Sequence, residues 1–186
     1  MSDRFPHGKT EPKNLESFEK ALGKPLPESY KAYLFDYNGG LLERLSFYDE
    51  DRTKDFTISS LFGLHLGPKE KRLQENCKPW NYYDLEEFKE HLQPYICIGD
   101  GSTGALILLH LENGSIHILV TDIAGQPFNI VNIADSFDAF RNSLLSAAEY
   151  AQRTSNYELE QRLAEMRAIR ARDVEQYLKG KGPLVD

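Results

Sequence analysis

The segment "ALILLHLENGSIHILV", residues 105–120, constrains the fold more than any other part of the chain. Two apolar runs flank Asn113-Gly114, and Asn-Gly between such runs is the strongest short hairpin signal a sequence carries. Read as a two-residue type I′ turn, it sets Glu112 opposite Ser115, Leu111 opposite Ile116 and His110 opposite His117. That register gathers Ile107, Leu109, Leu111, Ile116, Ile118 and Val120 onto one apolar face. A shift of one residue would mix the faces, so the apolar pattern supports a sheet with a buried side.

Just upstream, "YICIGDGSTG" spells G-x-G-x-x-G at Gly99, Gly101 and Gly104. A dinucleotide fingerprint needs its last glycine to open a helix, whose free N–H groups hold the pyrophosphate. Here the hairpin strand follows instead. A kinase glycine loop lies between strands, but it also needs a strand lysine downstream and the H-R-D and D-F-G elements. No lysine occurs between Lys89 and Lys179. A nucleotide-binding enzyme is therefore the weakest reading. The glycines read as a turn from strand to strand, with Asp100 and Ser102 supplying turn chemistry.

Helical patterns surround these strands. "NLESFEKALG" puts Leu15, Phe18 and Leu22 on one face, with Asn14 as N-cap and Gly23 as the stop. "PESYKAYLFDYNGG" predicts a second helix, with Pro27 in its first turn, Tyr30, Tyr33, Leu34 and Tyr37 as a buried stripe, and Asn38-Gly39-Gly40 at its end. Residues 42–64 alternate around the charged turn "DEDRTKD" and predict a hairpin or two edge strands. In the polar stretch that follows, only "DLEEFKEHL" carries helix signals, with Asp84 and Glu87 as a capping box and Leu85, Phe88 and Leu92 on one side. "DSFDAFRNSLLSAAEY" predicts a helix capped by Asp135 or Ser136, with Phe137, Phe140, Leu144 and Leu145 inward. A last long helix is predicted from Ser155, with Ser155 and Glu158 as its capping box. The sum is an α+β domain with a mostly antiparallel sheet flanked by helices over residues 14–150, a flexible arm at 1–13 and a helical extension at 151–186.

Among 186 residues, 29 acidic against 22 basic side chains leave a net charge of -7. That balance argues against sequence-independent binding to nucleic acid; it favours a basic partner if the partner is charged, and serves solubility alone in the alternative reading. No apolar run approaches a membrane span, and "MSDRFPHGKTEPKN" has no signal core, so a cytoplasmic protein is expected. Cys77 and Cys97 fit neither a disulfide framework nor a zinc motif and read as buried thiols. His110 and His117, opposed across the hairpin, lack a third metal ligand on their face beyond Glu112. No nucleophile elbow or catalytic set is visible, so neither catalysis nor a cofactor is expected. The candidate partner contacts are the acidic loop Asp49, Glu50 and Asp51 with the aromatics Trp80, Tyr82 and Tyr83.

Taken in order, "FEKALGKPLPESYKAYLFDYNGG", a strand pair closing in "SLFGL", "YICIGDGSTGALILLHLENG" and "ADSFDAFRNSLL" resemble the SUKH superfamily, in particular its SMI/KNR branch. The resemblance covers about residues 14–146. Leu22, Gly23, Leu26, Pro27, Tyr30, Tyr33 and Leu34 match its helix-break-helix signature, Asn38, Gly39 and Gly40 its glycine end, and Ile98, Gly99 and Gly104 its central turn. Ala105 stands where the family often has Asp or Asn. The resemblance implies a non-catalytic binding scaffold. Its bacterial members look like immunity proteins that neutralise the toxin domain of a secreted polymorphic toxin, frequently a nuclease; fungal relatives are regulators of cell-wall assembly. A housekeeping interaction module, with the final helix recruiting a partner or forming a homodimer, is the alternative.

Overall fold

The glycine loop and the Asn-Gly turn join consecutive strands of one antiparallel meander. The structure, a computed structural model, describes residues 8–40, 42, 46–47, 56–101, 104–121, 128–155, 164 and 168. Strands β1 (Ser46–Phe47), β2 (Phe56–Leu61), β3 (Tyr95–Gly101), β4 (Leu106–His110), β5 (Ile116–Val120) and β6 (Asn129–Ala134) lie in chain order. Five of them, β2 to β6, form the main sheet, and the two-residue β1 extends its edge. The fold is α+β, as the sequence predicts.

The β4–β5 hairpin departs from its predicted register. Leu109 pairs with Ile116 and Leu108 with His117, two residues away from the type I′ arrangement. Type I′ needs positive φ at both turn residues. Gly114 has φ 74, whereas Asn113 is not among the left-handed residues. The Asn113 side chain instead accepts from the Ser115 N–H at 3.0 Å and from the Ser115 hydroxyl at 2.6 Å. With that N–H taken, the loop widens to Leu111–Gly114 and closes where the His110 N–H donates to the Ser115 carbonyl at 2.9 Å. A two-residue shift preserves side-chain parity, so Ile107, Leu109, Ile116 and Ile118 still share a face. Leu106, Leu108 and Leu119 on the opposite face are buried as well, which is why the strands read as continuous apolar runs.

Helix α1 (Pro12–Leu22) begins two residues before the predicted Asn14 cap, because Pro12 occupies the first turn, where its missing N–H costs nothing. Gly23 ends it at φ 76, as predicted. Upstream of α1, Thr10 is buried. Helix α2 (Glu28–Asp36) follows, and the break between them is tied by the Leu26 N–H donating to Glu19 Oε1 at 2.6 Å, with Lys31 Nζ 3.1 Å from the same carboxylate. Tyr30, Tyr33 and Leu34 are buried, but Tyr37 is 37% exposed because it lies past the last helical turn. Between β2 and β3 the chain makes single turns: 3-10 turns at Lys69–Lys71, Pro79–Asn81 and Leu85–Phe88, and helices α3 (Leu73–Asn76) and α4 (Lys89–Leu92). The predicted Asp84 capping box does not form: Asp84 is left-handed at φ 56 and its side chain makes no cap bond.

Helix α5 (Phe137–Ser143) is capped by Ser136, whose hydroxyl accepts from the Ala139 N–H at 3.1 Å. It is shorter than predicted. Leu145 leaves the helix to exchange backbone bonds with Ser46 at 2.7 and 3.0 Å, so Leu144 and Leu145 are buried from extended chain. Phe137 packs against Tyr30 and Tyr33 with ring centroids 4.9 and 4.8 Å apart, joining α5 to α2. The chain divides into two compact units, Met1–Ser146 and Ala147–Asp186. In the second, residues 147–155 are helical, so Ser155 lies within a helix rather than capping a new one. Residues 164 and 168 are also helical, and the rest of the predicted final helix lies outside the described residues.

Candidate functional site

A cleft of about 360 Å³ opens beside the glycine loop, and three separated segments build it. The first is fixed by the end of α2. Asn38, left-handed at φ 55 and buried, turns its amide on Leu64, accepting from its N–H at 2.6 Å and donating to its carbonyl at 3.1 Å. Gly39 and Gly63 cross at this point so closely that a Cβ on Gly39 would lie 2.7 Å from the Gly63 nitrogen. The crossing places Phe62 in the cleft, and the Gly63 N–H donates to the Lys71 carbonyl at 3.1 Å, which holds the 3-10 turn carrying Glu70 and Lys71.

The second segment supplies aromatics. Tyr82 donates to Asn76 Oδ1 at 3.1 Å, and Tyr83 donates to the Gly104 carbonyl at 2.5 Å. Burial pushes the Tyr82 phenol well above its ordinary range, so it acts as a donor and not as a base. Asp100, from the glycine loop, is the third contribution. It accepts from the Ser60 hydroxyl at 2.6 Å and pairs with Lys71 at 2.9 Å. Lys71 also lies 6.0 Å from the centre of the Phe62 ring.

Tyr82 and Tyr83 thus meet in one cleft, as two of the predicted contact residues. Trp80 does not join them. It packs half-buried against the core in a separate cleft with Tyr95 and Leu111, with Lys89 5.6 Å over its ring. Asp49, Glu50 and Asp51 lie outside the described residues. Lys71, Glu70 and Asp100 are cleft residues that the sequence does not mark as contacts, since a lysine and a glutamate in a polar stretch carry no signal of their own.

The predicted opposition of His110 and His117 is also corrected. His117 faces Leu108, and the two imidazoles are 6.3 Å apart between centroids, each edge-on to Tyr95. Among the described residues, no group of three or more His, Cys, Asp or Glu could hold a metal ion. Burial, then the neighbouring His110, lowers the His117 pKa below its ordinary 6.5. A histidine whose folded value is lowered favours the unfolded state as it takes up a proton, so its contribution is present above 6.5 and lost as pH falls toward the lowered value. Urea midpoints measured from about pH 7.5 down to about pH 5.5 are expected to fall less in His117→Gln than in the natural chain. Parallel curves would remove His117 from the acid sensitivity.

The cysteines are shielded. Burial raises the Cys77 thiol and pushes Cys97 up to about 12. Neither is expected to react with a disulfide reagent in the folded chain, and both are expected to react after denaturation. Labelling of either thiol at the native rate of an exposed cysteine would contradict this burial.

Strands β2 to β6 and the flanking helices thus form an antiparallel α+β domain whose surface carries a cleft lined by aromatic and charged side chains. The model of the SMI1 / KNR4 family (SUKH-1) matches residues 9–143, and the chain belongs to that family. Members of the family are generally non-catalytic binding proteins. No curated protein gives a significant match. Among the described residues, no helix is long and apolar enough to cross a membrane.

Proposed function

We propose that the chain is a cytoplasmic immunity protein that binds the toxin domain of a secreted polymorphic toxin, such as a nuclease, and blocks it by occlusion. The observation that carries this reading is the family fold presenting Tyr83, 48% exposed, at a cleft formed by the family's own glycine turn. The net charge of -7 supports a basic partner, because opposite fields speed association. Co-expression with the toxin domain encoded by the neighbouring gene is expected to rescue growth and to yield a complex on co-purification. Absence of both would end the proposal.

A second reading has its own support: the unit Ala147–Asp186 lies beyond the matched residues 9–143. In that reading the chain is an interaction module whose final unit recruits a partner or forms a homodimer. Sedimentation of the full chain at increasing concentration tests the homodimer, since a constant monomer mass would exclude it.

A further inference from the structure

Tyr83 is held at the cleft by its backbone conformation and by its hydroxyl. It and Asp84 are both left-handed, at φ 53 and 56, a region costly for residues with a Cβ. Its hydroxyl is anchored on the Gly104 carbonyl, yet 48% of the residue remains exposed. The ring is therefore fixed before a partner arrives, which limits the entropy lost on binding.

The charges lining the cleft select the partner. Lys71 and Asp100 neutralise each other, and the remaining Asp100 oxygen is taken by Ser60. Glu70 has no ion-pair partner among the described residues. The lining thus holds two carboxylates against one ammonium, which repels phosphate and favours a cation. Guanidinium is the cationic group that both stacks flat on an aromatic ring and bonds a carboxylate through two donors.

We infer that this cleft receives an arginine side chain of the partner protein, stacked on Tyr83 and paired with Glu70. The inference rests on the reading that the chain binds a basic protein. Amide NMR titration of the full chain with the probe acetyl-Gly-Arg-Gly-amide tests it, beside the lysine and citrulline analogues. Saturable shifts at Glu70, Tyr83 and Gly104 are expected for the arginine probe, weaker by roughly threefold or more for lysine and absent for citrulline. Glu70→Gln, at an exposed position, and Tyr83→Ala are each expected to weaken the arginine probe by roughly threefold or more. Equal responses to the three probes, or no effect of Glu70→Gln, would overturn the inference. If the neighbouring toxin domain binds both variants as tightly as the natural chain, the arginine site falls and the immunity reading stands. If the probe binds as expected and the toxin domain does not, the arginine site stands and the immunity reading falls.

Discussion

Gly63→Ala is expected to cost on the order of 3 kcal/mol or more, a large share of the roughly 5–15 kcal/mol that holds a domain together. The added methyl would fall on the Asn38 carbonyl, with the Asn38 carbonyl carbon 2.7 Å away. Both partners are backbone, so no side chain can rotate to make room. Gly63 is pinned as well: its N–H donates to Lys71 and its carbonyl accepts from the Leu73 N–H at 2.8 Å. Gly23→Ala supplies the comparison, because Gly23 has φ 76 but no atom within 4 Å of an added Cβ. It is expected to lose only about 1 kcal/mol, from the left-handed backbone alone. Urea unfolding of both variants checks the difference, and equal losses would show that the crossing is not what requires glycine.

Asn38→Ala is expected to cost about 3 kcal/mol or more. Both hydrogen bonds to Leu64 vanish, leaving a buried N–H and a buried carbonyl without partners, each worth roughly 1–3 kcal/mol. Alanine also tolerates φ 55 less well than asparagine. Asn38→Gly relieves the backbone while still losing the side chain, so it is expected to lie between the natural chain and Asn38→Ala. Thermal melts of the two variants separate the contributions. A loss below about 1 kcal/mol in Asn38→Ala would mean that the Leu64 groups find other partners.

Much of the architecture is legible in the sequence because it rests on local chemistry. Periodicity marks α1 and α2, Gly23 marks a helix end, and the apolar runs from Tyr95 onward mark strands. Departures arise where a side chain competes with the backbone or where a distant segment intervenes. Asn113 takes the Ser115 N–H and opens the turn, and Ser46 draws Leu145 out of α5. The cleft is only partly legible. Tyr82 and Tyr83 can be picked out as candidate contact aromatics, but nothing in the local sequence separates them from Trp80, which lines a different cleft.

Residue spacing within single elements suffices for the α+β class, the apolar face of the hairpin and the order of motifs that marks the family, because each of these is written into a short run of chain. Three-dimensional packing is needed to learn that Asn38-Gly39 crosses Phe62-Gly63, and that Glu70, Tyr83 and Asp100 share one cleft. Those relations join residues far apart in the chain, and only the packing of the meander against its helices and turns brings them within contact distance.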